Sequence, residues 1–280
     1  MKFFKNYFLL LLVGFVFIAY IFFNRQSKQY YPTQEIASFA QAQELLNQCG
    51  PNALVLFDVD DVLITSPDYI ARGHLPKELK TQIAQAFSQL SDADTLEEVY
   101  SLLWQKPARV LIEPQVTTII NNLKQQGALV IGLTSMESGS YGVIADMPKW
   151  RADMLKNMGI SFTQKYPNQI YTQLKEYRNN YPVLYEGILC TNQQPKGDVL
   201  AAFLDANNVH PQLIVFFDDG LKNLESVGEC CKKRGIAYRL FHYKGFERFS
   251  SALDLPLIMK QVGMLINEHR WVSDQEIIAA

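Results

Sequence analysis

Short, largely apolar runs recur along the chain at 53–57, 128–133, 188–190, 213–217 and 237–241, each bounded by turn-forming or polar residues. Runs of this length and composition predict strands buried on both faces. Between them the apolar positions change to helical spacing. Leu79, Ile83, Ala86, Phe87 and Leu90 form one stripe, Leu96, Val99 and Leu103 a second, and Val116, Ile119, Ile120 and Leu123 a third that Gly127 stops. Further helices are predicted around 150–158, closed by Gly159; from Asp198, with Val199, Leu200, Phe203 and Leu204 inward; and from Leu221 to a stop at Gly235. A last one, from Pro256 to about Leu265, closes the domain.

This alternation predicts an α/β fold with a mostly parallel sheet in three layers. One feature exceeds that plan. A crossover between parallel strands needs one helix, yet two helical stripes, separated by Ser91-Asp92-Ala93-Asp94, lie between 66 and 110. They are expected to form a small helical insertion lying over the first core strand, with Asp94 or Thr95 capping the second helix. Residues 161–187 carry Tyr166, Tyr171, Tyr177, Tyr181 and Tyr185 among polar residues, and their pattern fits a polar hairpin or a short helix with a loop.

The N-terminus follows a different pattern. Residues 7–23 are uncharged and almost wholly apolar, with Lys2 and Lys5 before them and Arg25 and Lys28 after. The stretch is short for a spanning helix and long for a signal-peptide core, and bulky Ile21-Phe22-Phe23 offers no small-residue cleavage site. Residues 1–28 are therefore expected to be an uncleaved membrane anchor, with secretion after signal cleavage as the alternative. The flanking charges lean towards a cytoplasmic N-terminus and an extracytoplasmic, periplasmic domain. Residues 29–50 read as a juxtamembrane juncture with one short helix, leaving 51–280 for the domain.

Composition changes this picture little. Across 280 residues, 48% are hydrophobic and 19% charged, which argues against wholesale disorder. A net charge of −2 gives no reason to expect nucleic acid as a partner. Cys49, Cys190, Cys230 and Cys231 have no metal-type spacing and leave the redox compartment open.

The candidate chemistry lies where the strands end. Asp58, Asp60 and Asp61 follow the first core strand, Thr134 and Ser135 the second, Lys196 precedes a helix, and Asp218-Asp219 follows the strand at 213–217. Strand ends in open α/β sheets are where ligands bind. Each feature alone is ordinary: an Asp-x-Asp is commonly a turn and Asp-Asp-Gly another. Together, and in this order, they suit phosphoryl transfer through an aspartyl phosphate. A carboxylate reaches a phosphate dianion only where a divalent cation and a lysine suppress repulsion. Mg²⁺ takes a few carboxylates together with waters and phosphate oxygens. A second carboxylate can move the proton.

The motifs FDVDDVL, LTS, PKG and FFDDGLKN, spread over about 52–245, resemble those of the haloacid dehalogenase (HAD) superfamily. The resemblance implies a Rossmann-like α/β/α core with a helical cap inserted at about 66–110. It implies a Mg²⁺-dependent phosphatase acting on a small phosphorylated substrate, with Asp58 as nucleophile and Asp60 as general acid/base whose carbonyl also ligates the metal. Thr134, with Ser135 beside it, would orient the phosphate, and Lys196 would bind phosphate and nucleophile. Asp219 would ligate the metal, with Asp218 and Asn223 in support. The chain is also similar to an uncharacterised bacterial HAD-like family of secreted or membrane-associated proteins. It departs from the superfamily pattern at Val62, where Thr is commoner, and at Asp61, where a small residue such as Gly is usual; Asp61 is read as a solvated turn residue. Arg72 and His74, early in the cap, could face the site, but solvated loop positions are the preferred reading. The competing reading is a catalytically silent, membrane-tethered ligand-binding module on the same scaffold.

Overall fold

The computed structural model describes residues 32–90, 92–249 and 253–279, and the apolar segment at 7–23 lies outside them. No helix among the described residues is long and apolar enough to cross a membrane. Strands form at each apolar run and at several shorter sites. In chain order they are β1 (Gln34–Ile36), β2 (Ala53–Phe57), β3 (Ile64–Thr65), β4 (Val110–Leu111), β5 (Leu129–Thr134), β6 (Gln169–Ile170), β7 (Val183–Tyr185), β8 (Ile188–Cys190), β9 (Leu213–Asp218) and β10 (Ala237–Tyr243). The helices are α1 (Gln43–Leu46), α2 (Lys77–Phe87), α3 (Ala93–Gln105), α4 (Val116–Gln125), α5 (Met147–Asn157), α6 (Lys196–Ala206), α7 (Leu221–Arg234), α8 (Leu255–Glu268) and α9 (Asp274–Ala279).

An eight-stranded sheet runs in the order β1-β10-β9-β2-β5-β8-β7-β6. It is parallel from β1 to β8, and β7 and β6 add an antiparallel edge. The pleat sends alternate side chains of β2 to opposite faces. Leu54 and Leu56 pack with Leu200 and Phe203 of α6 and Leu224 and Val227 of α7. Val55 and Phe57 pack with Ile119, Ile120 and Leu123 of α4 and Leu155 of α5. Both faces are thus covered, which is why β2 reads as an unbroken apolar run. The result is a three-layer α/β/α architecture around a mostly parallel sheet.

The structure departs from the sequence reading in three places. The described part of the segment read as a juncture, from residue 32 to 50, is built into the fold: β1 pairs in parallel with β10, Gln34 opposite Phe241, and Phe39, Ala42, Leu46 and Cys49 are buried in the core. Buried Glu113 fastens it, accepting from Ser38 Oγ at 2.8 Å, Phe39 N at 2.9 Å and the Tyr243 hydroxyl at 2.6 Å. A three-residue strand is too short to display alternation, so the signal was absent. Second, Asp92 caps α3, accepting from Thr95 N at 2.8 Å, in place of the expected Asp94 or Thr95.

Third, α8, read as the helix that closes the domain, is followed by α9 and packs on the helical insertion. Its stripe of Ile258, Val262 and Leu265 packs against Leu79, Ile83 and Phe87 of α2 and Val99 and Leu102 of α3. Both sheet faces are already covered, so the apolar stripe of a C-terminal helix must find another partner. The helical layer over the site is therefore composite, drawing on two distant parts of the chain. It is joined to the sheet through the β3–β4 antiparallel ribbon. Residues 161–187 include β6 and β7, and of their five tyrosines Tyr171 is fully buried.

Candidate active site

β2 ends at the point where its two neighbours, β9 and β5, flank it in parallel register. The Asp58 amide donates to the Phe217 carbonyl at 2.9 Å, which carries the ladder one step past the strand and sets Asp58 beside Asp218. Lys196, the first residue of α6, lies beneath both. Its Nζ is 2.6 Å from Asp58 Oδ1 and 2.6 Å from Asp218 Oδ2, with the side chain 1% exposed. Asp218 also accepts from Gly220 N at 2.7 Å and Asn223 Nδ2 at 2.9 Å, both through Oδ1. Asn223 therefore holds Asp218, and Asp218 holds the lysine.

The electrostatics of this cluster leave it short of positive charge. Burial pushes the Asp58 carboxyl well above the usual carboxylate range despite the lysine, and Asp218 and Asp219 add to the effect. Burial likewise raises Asp218. Burial would lower Lys196, yet the two carboxylates hold it above an ordinary lysine. Asp219, whose own burial opposes ionisation, is nevertheless held below its ordinary value by His74, with a hydrogen bond to Asp58 contributing. Asp58, Asp218 and Asp219 each bring an oxygen to within 4.8 Å of the others, a donor set of the all-oxygen kind that hard cations take.

Asp60 sits apart from that cluster. Its carboxylate is half exposed and gripped in a fork by buried Arg151, at 2.9 Å from Nη1 and 3.0 Å from Nη2. Thr134, at the end of β5, is buried and accepts from the Met136 amide at 3.2 Å through its hydroxyl. Asp58, Asp60, Thr134, Ser135 and Asp219 all line one cavity of about 370 Å³. Lys196 and Asp218 support it from below.

Asp61 is not a solvated turn residue. It is 5% exposed, with its backbone in the left-handed region at φ 58°. That conformation explains why a small residue suits the position, and Asp is among the side chains that tolerate it. Its carboxylate, raised from its usual value by burial, accepts from Thr65 Oγ1 at 2.7 Å and from Gly73 N at 2.9 Å. A Cβ at Gly73 would run into that carboxylate, so the loop leading to the helical layer is fitted directly onto the Asp58–Leu63 turn. Replacing Asp61 with alanine is expected to cost about 2–4 kcal/mol, from two hydrogen bonds to a carboxylate and a strained φ. Asparagine there should cost less than about 1 kcal/mol. Urea denaturation of the two variants measures this, and an alanine variant as stable as the native protein would restore the solvated-turn reading.

Arg72 and His74 both reach the site, His74 while staying solvent-exposed as expected of a loop position. His74 Nε2 lies 2.6 Å from Asp219 Oδ2, and its ring stacks on Phe246 at 3.7 Å. Arg72 lines the cavity and donates through Nε to the Ser66 carbonyl at 3.0 Å. The reason is the Asp61–Gly73 contact, which draws the loop inward. Arg109, Arg151 and Trp104 complete the walls and were missed in the sequence. Arg151 had left a trace: it falls on the same helical face as buried Met147 and Leu155, where an arginine needs an acidic partner.

A family model described as a protein of unknown function, DUF2608, matches residues 35–277. The chain belongs to that family. Among the relatives of this DUF2608 protein is an uncharacterized protein of Rickettsia prowazekii, 25% identical over 246 residues, covering 88% of this chain and 89% of the other. A Chlamydia trachomatis protein, provisionally named an outer membrane protein, is 22% identical over 78% of this chain and 84% of its own. Among solved structures, a haloacid dehalogenase-like hydrolase of Streptococcus pneumoniae is similar at a TM-score of 0.35 and 14% identity, covering 70% of this chain and 96% of that one.

Proposed function

We propose that this DUF2608 protein is a Mg²⁺-dependent phosphohydrolase of the HAD type that cleaves a small phosphate monoester through an aspartyl phosphate on Asp58. The observation that carries the reading is Asp58 itself: a buried carboxylate at a central strand end, paired to Lys196 and facing Asp219 at the cavity floor. The all-oxygen cluster of Asp58, Asp218 and Asp219 fits Mg²⁺: Asp58 and Asp219 would hold it together with the Asp60 carbonyl, with Asp218 in support. When bound, Mg²⁺ would offset the negative charge that nucleophile and phosphoryl group bring together.

Asp58 attacks phosphorus as the ester oxygen leaves, Asp60 gives that oxygen its proton, and Asp60 then takes a proton from the water that attacks the aspartyl phosphate. Thr134 and Ser135 orient the phosphoryl oxygens, and Lys196 keeps Asp58 aligned. Arg151 fixes the Asp60 carboxylate at the cavity wall. That same fork supports a second reading, a phosphate-binding module in which Asp60 is locked and no turnover follows.

An envelope location is part of the proposal. The apolar segment at 7–23 and the name given to the chlamydial relative support a domain held outside the cytoplasm by its N-terminal segment.

The test is a panel of phosphate monoesters offered to the detergent-solubilised full chain. Hydrolysis of p-nitrophenyl phosphate is expected with Mg²⁺, lost with chelator and restored by added Mg²⁺. Phosphate binding without turnover of any panel member would favour the binding module instead.

A further inference from the structure

Most charges around the cavity are matched by a direct partner. Asp58 has Lys196, Asp60 has Arg151, Asp61 has Thr65 and Gly73, and Asp219 has His74. Arg109 is held differently. It precedes β4, on the ribbon that joins the helical layer to the sheet, so its backbone is anchored to the core side. Its Nη1 donates to the Ala71 carbonyl at 2.9 Å and its Nη2 to the Trp104 carbonyl at 3.3 Å, while buried Nε has no partner. Among the described residues no carboxylate comes within 4.0 Å of this guanidinium.

A guanidinium partly withdrawn from water and held by neutral carbonyls is costly, because its desolvation is not repaid by a directly paired counter-ion. Burial indeed lowers Arg109 from the ordinary arginine value. The carboxylates that act on it from a distance, Asp60, Asp61 and Asp68, hold other direct partners: Arg151, Thr65 with Gly73, and the Asp274 amide. Proteins keep such a group where a ligand supplies the missing anion. Around it the cavity wall is apolar, with Ile70, Leu103 and Trp104, and its volume of about 370 Å³ suits a small molecule.

We propose that Arg109 recognises a second anionic group on the substrate, so that the substrate is a small phosphomonoester carrying a carboxylate or a second phosphate beyond the scissile ester. The inference rests on the phosphohydrolase reading for the scissile end and adds the identity of the other end. Arg109 is a specificity-determining residue in it and takes no part in the chemistry at phosphorus.

Matched substrate pairs test it: 3-phosphoglycerate against glycerol 3-phosphate, and fructose 1,6-bisphosphate against fructose 6-phosphate. The full chain is expected to favour the doubly anionic member of at least one pair by roughly 10- to 100-fold in kcat/KM, the range for a hydrogen-bonded charge. The pair that shows the preference tells carboxylate from phosphate. In Arg109→Gln that ratio should collapse towards unity through KM, and in Arg109→Lys it should be partly kept. Titrating the same ligands into Asp58→Asn protein with Mg²⁺, with and without Arg109→Gln, reads the preference without turnover. Absent hydrolysis with a retained binding preference would remove the phosphatase reading and leave the Arg109 assignment standing. Equal affinity within about threefold for both members of both pairs, or a ratio unmoved by Arg109→Gln, would overturn the assignment.

Discussion

Replacing Lys196 with methionine is expected to destabilise the protein by about 3–5 kcal/mol and to abolish hydrolysis. Methionine fills similar space, so the loss is electrostatic rather than a matter of packing. The Lys196 ammonium is the shared partner of Asp58 and Asp218, at 2.6 Å from each, and all three side chains are withdrawn from water. Removing one member of a buried ion group leaves the others charged and unpaired, and that is where penalties of about 3–5 kcal/mol arise. The two effects should separate in a double variant. Adding Asp218→Asn to Lys196→Met removes one stranded carboxylate and should recover part of the stability, while hydrolysis stays lost. Such non-additivity is the mark of side chains that act as a unit. Urea denaturation and p-nitrophenyl phosphate assays on the three proteins measure both.

Asp58→Asn has the opposite profile. Activity should fall by about 10⁴-fold or more, because the amide cannot serve as the nucleophile. Stability should hold or rise. The carboxyl is raised well above its ordinary value by burial, so its ionised form is disfavoured in the fold. Asparagine keeps the shape and removes a charge from a cluster in which three carboxylates share one ammonium. Lys196 retains Asp218. A variant that is inactive yet at least as stable as the native protein separates catalysis from folding at this residue. A variant that is both active and unchanged would remove Asp58 from the chemistry.

Much of this site was legible in the sequence because strand ends are marked twice, by the apolar run that stops and by the polar residue that follows. Asp58, Thr134 and Asp219 each sit where a buried strand meets the cavity, and Lys196 stands at the start of a helix. What escaped was contact between distant segments. Asp61 looked solvated because its burial depends on Gly73 and Thr65 closing over it. Arg151 and Arg109 look like surface residues until a helix face and a ribbon turn them inward. The composite helical layer could not be read because an amphipathic stripe such as that of α8 says that a partner exists, without saying which. β1 was too short for its periodicity to register at all.

The central claim is that phosphorus is transferred to Asp58, and rapid acid quenching during turnover tests it most directly. Peptide mass spectrometry of the quenched protein should find a phosphoryl group on the peptide containing Asp58. That group should be removed by hydroxylamine, as an acyl phosphate is, and should be absent from Asp58→Asn protein. Steady hydrolysis with the Asp58 peptide unmodified, or a phosphoryl group on a different residue, would contradict the account.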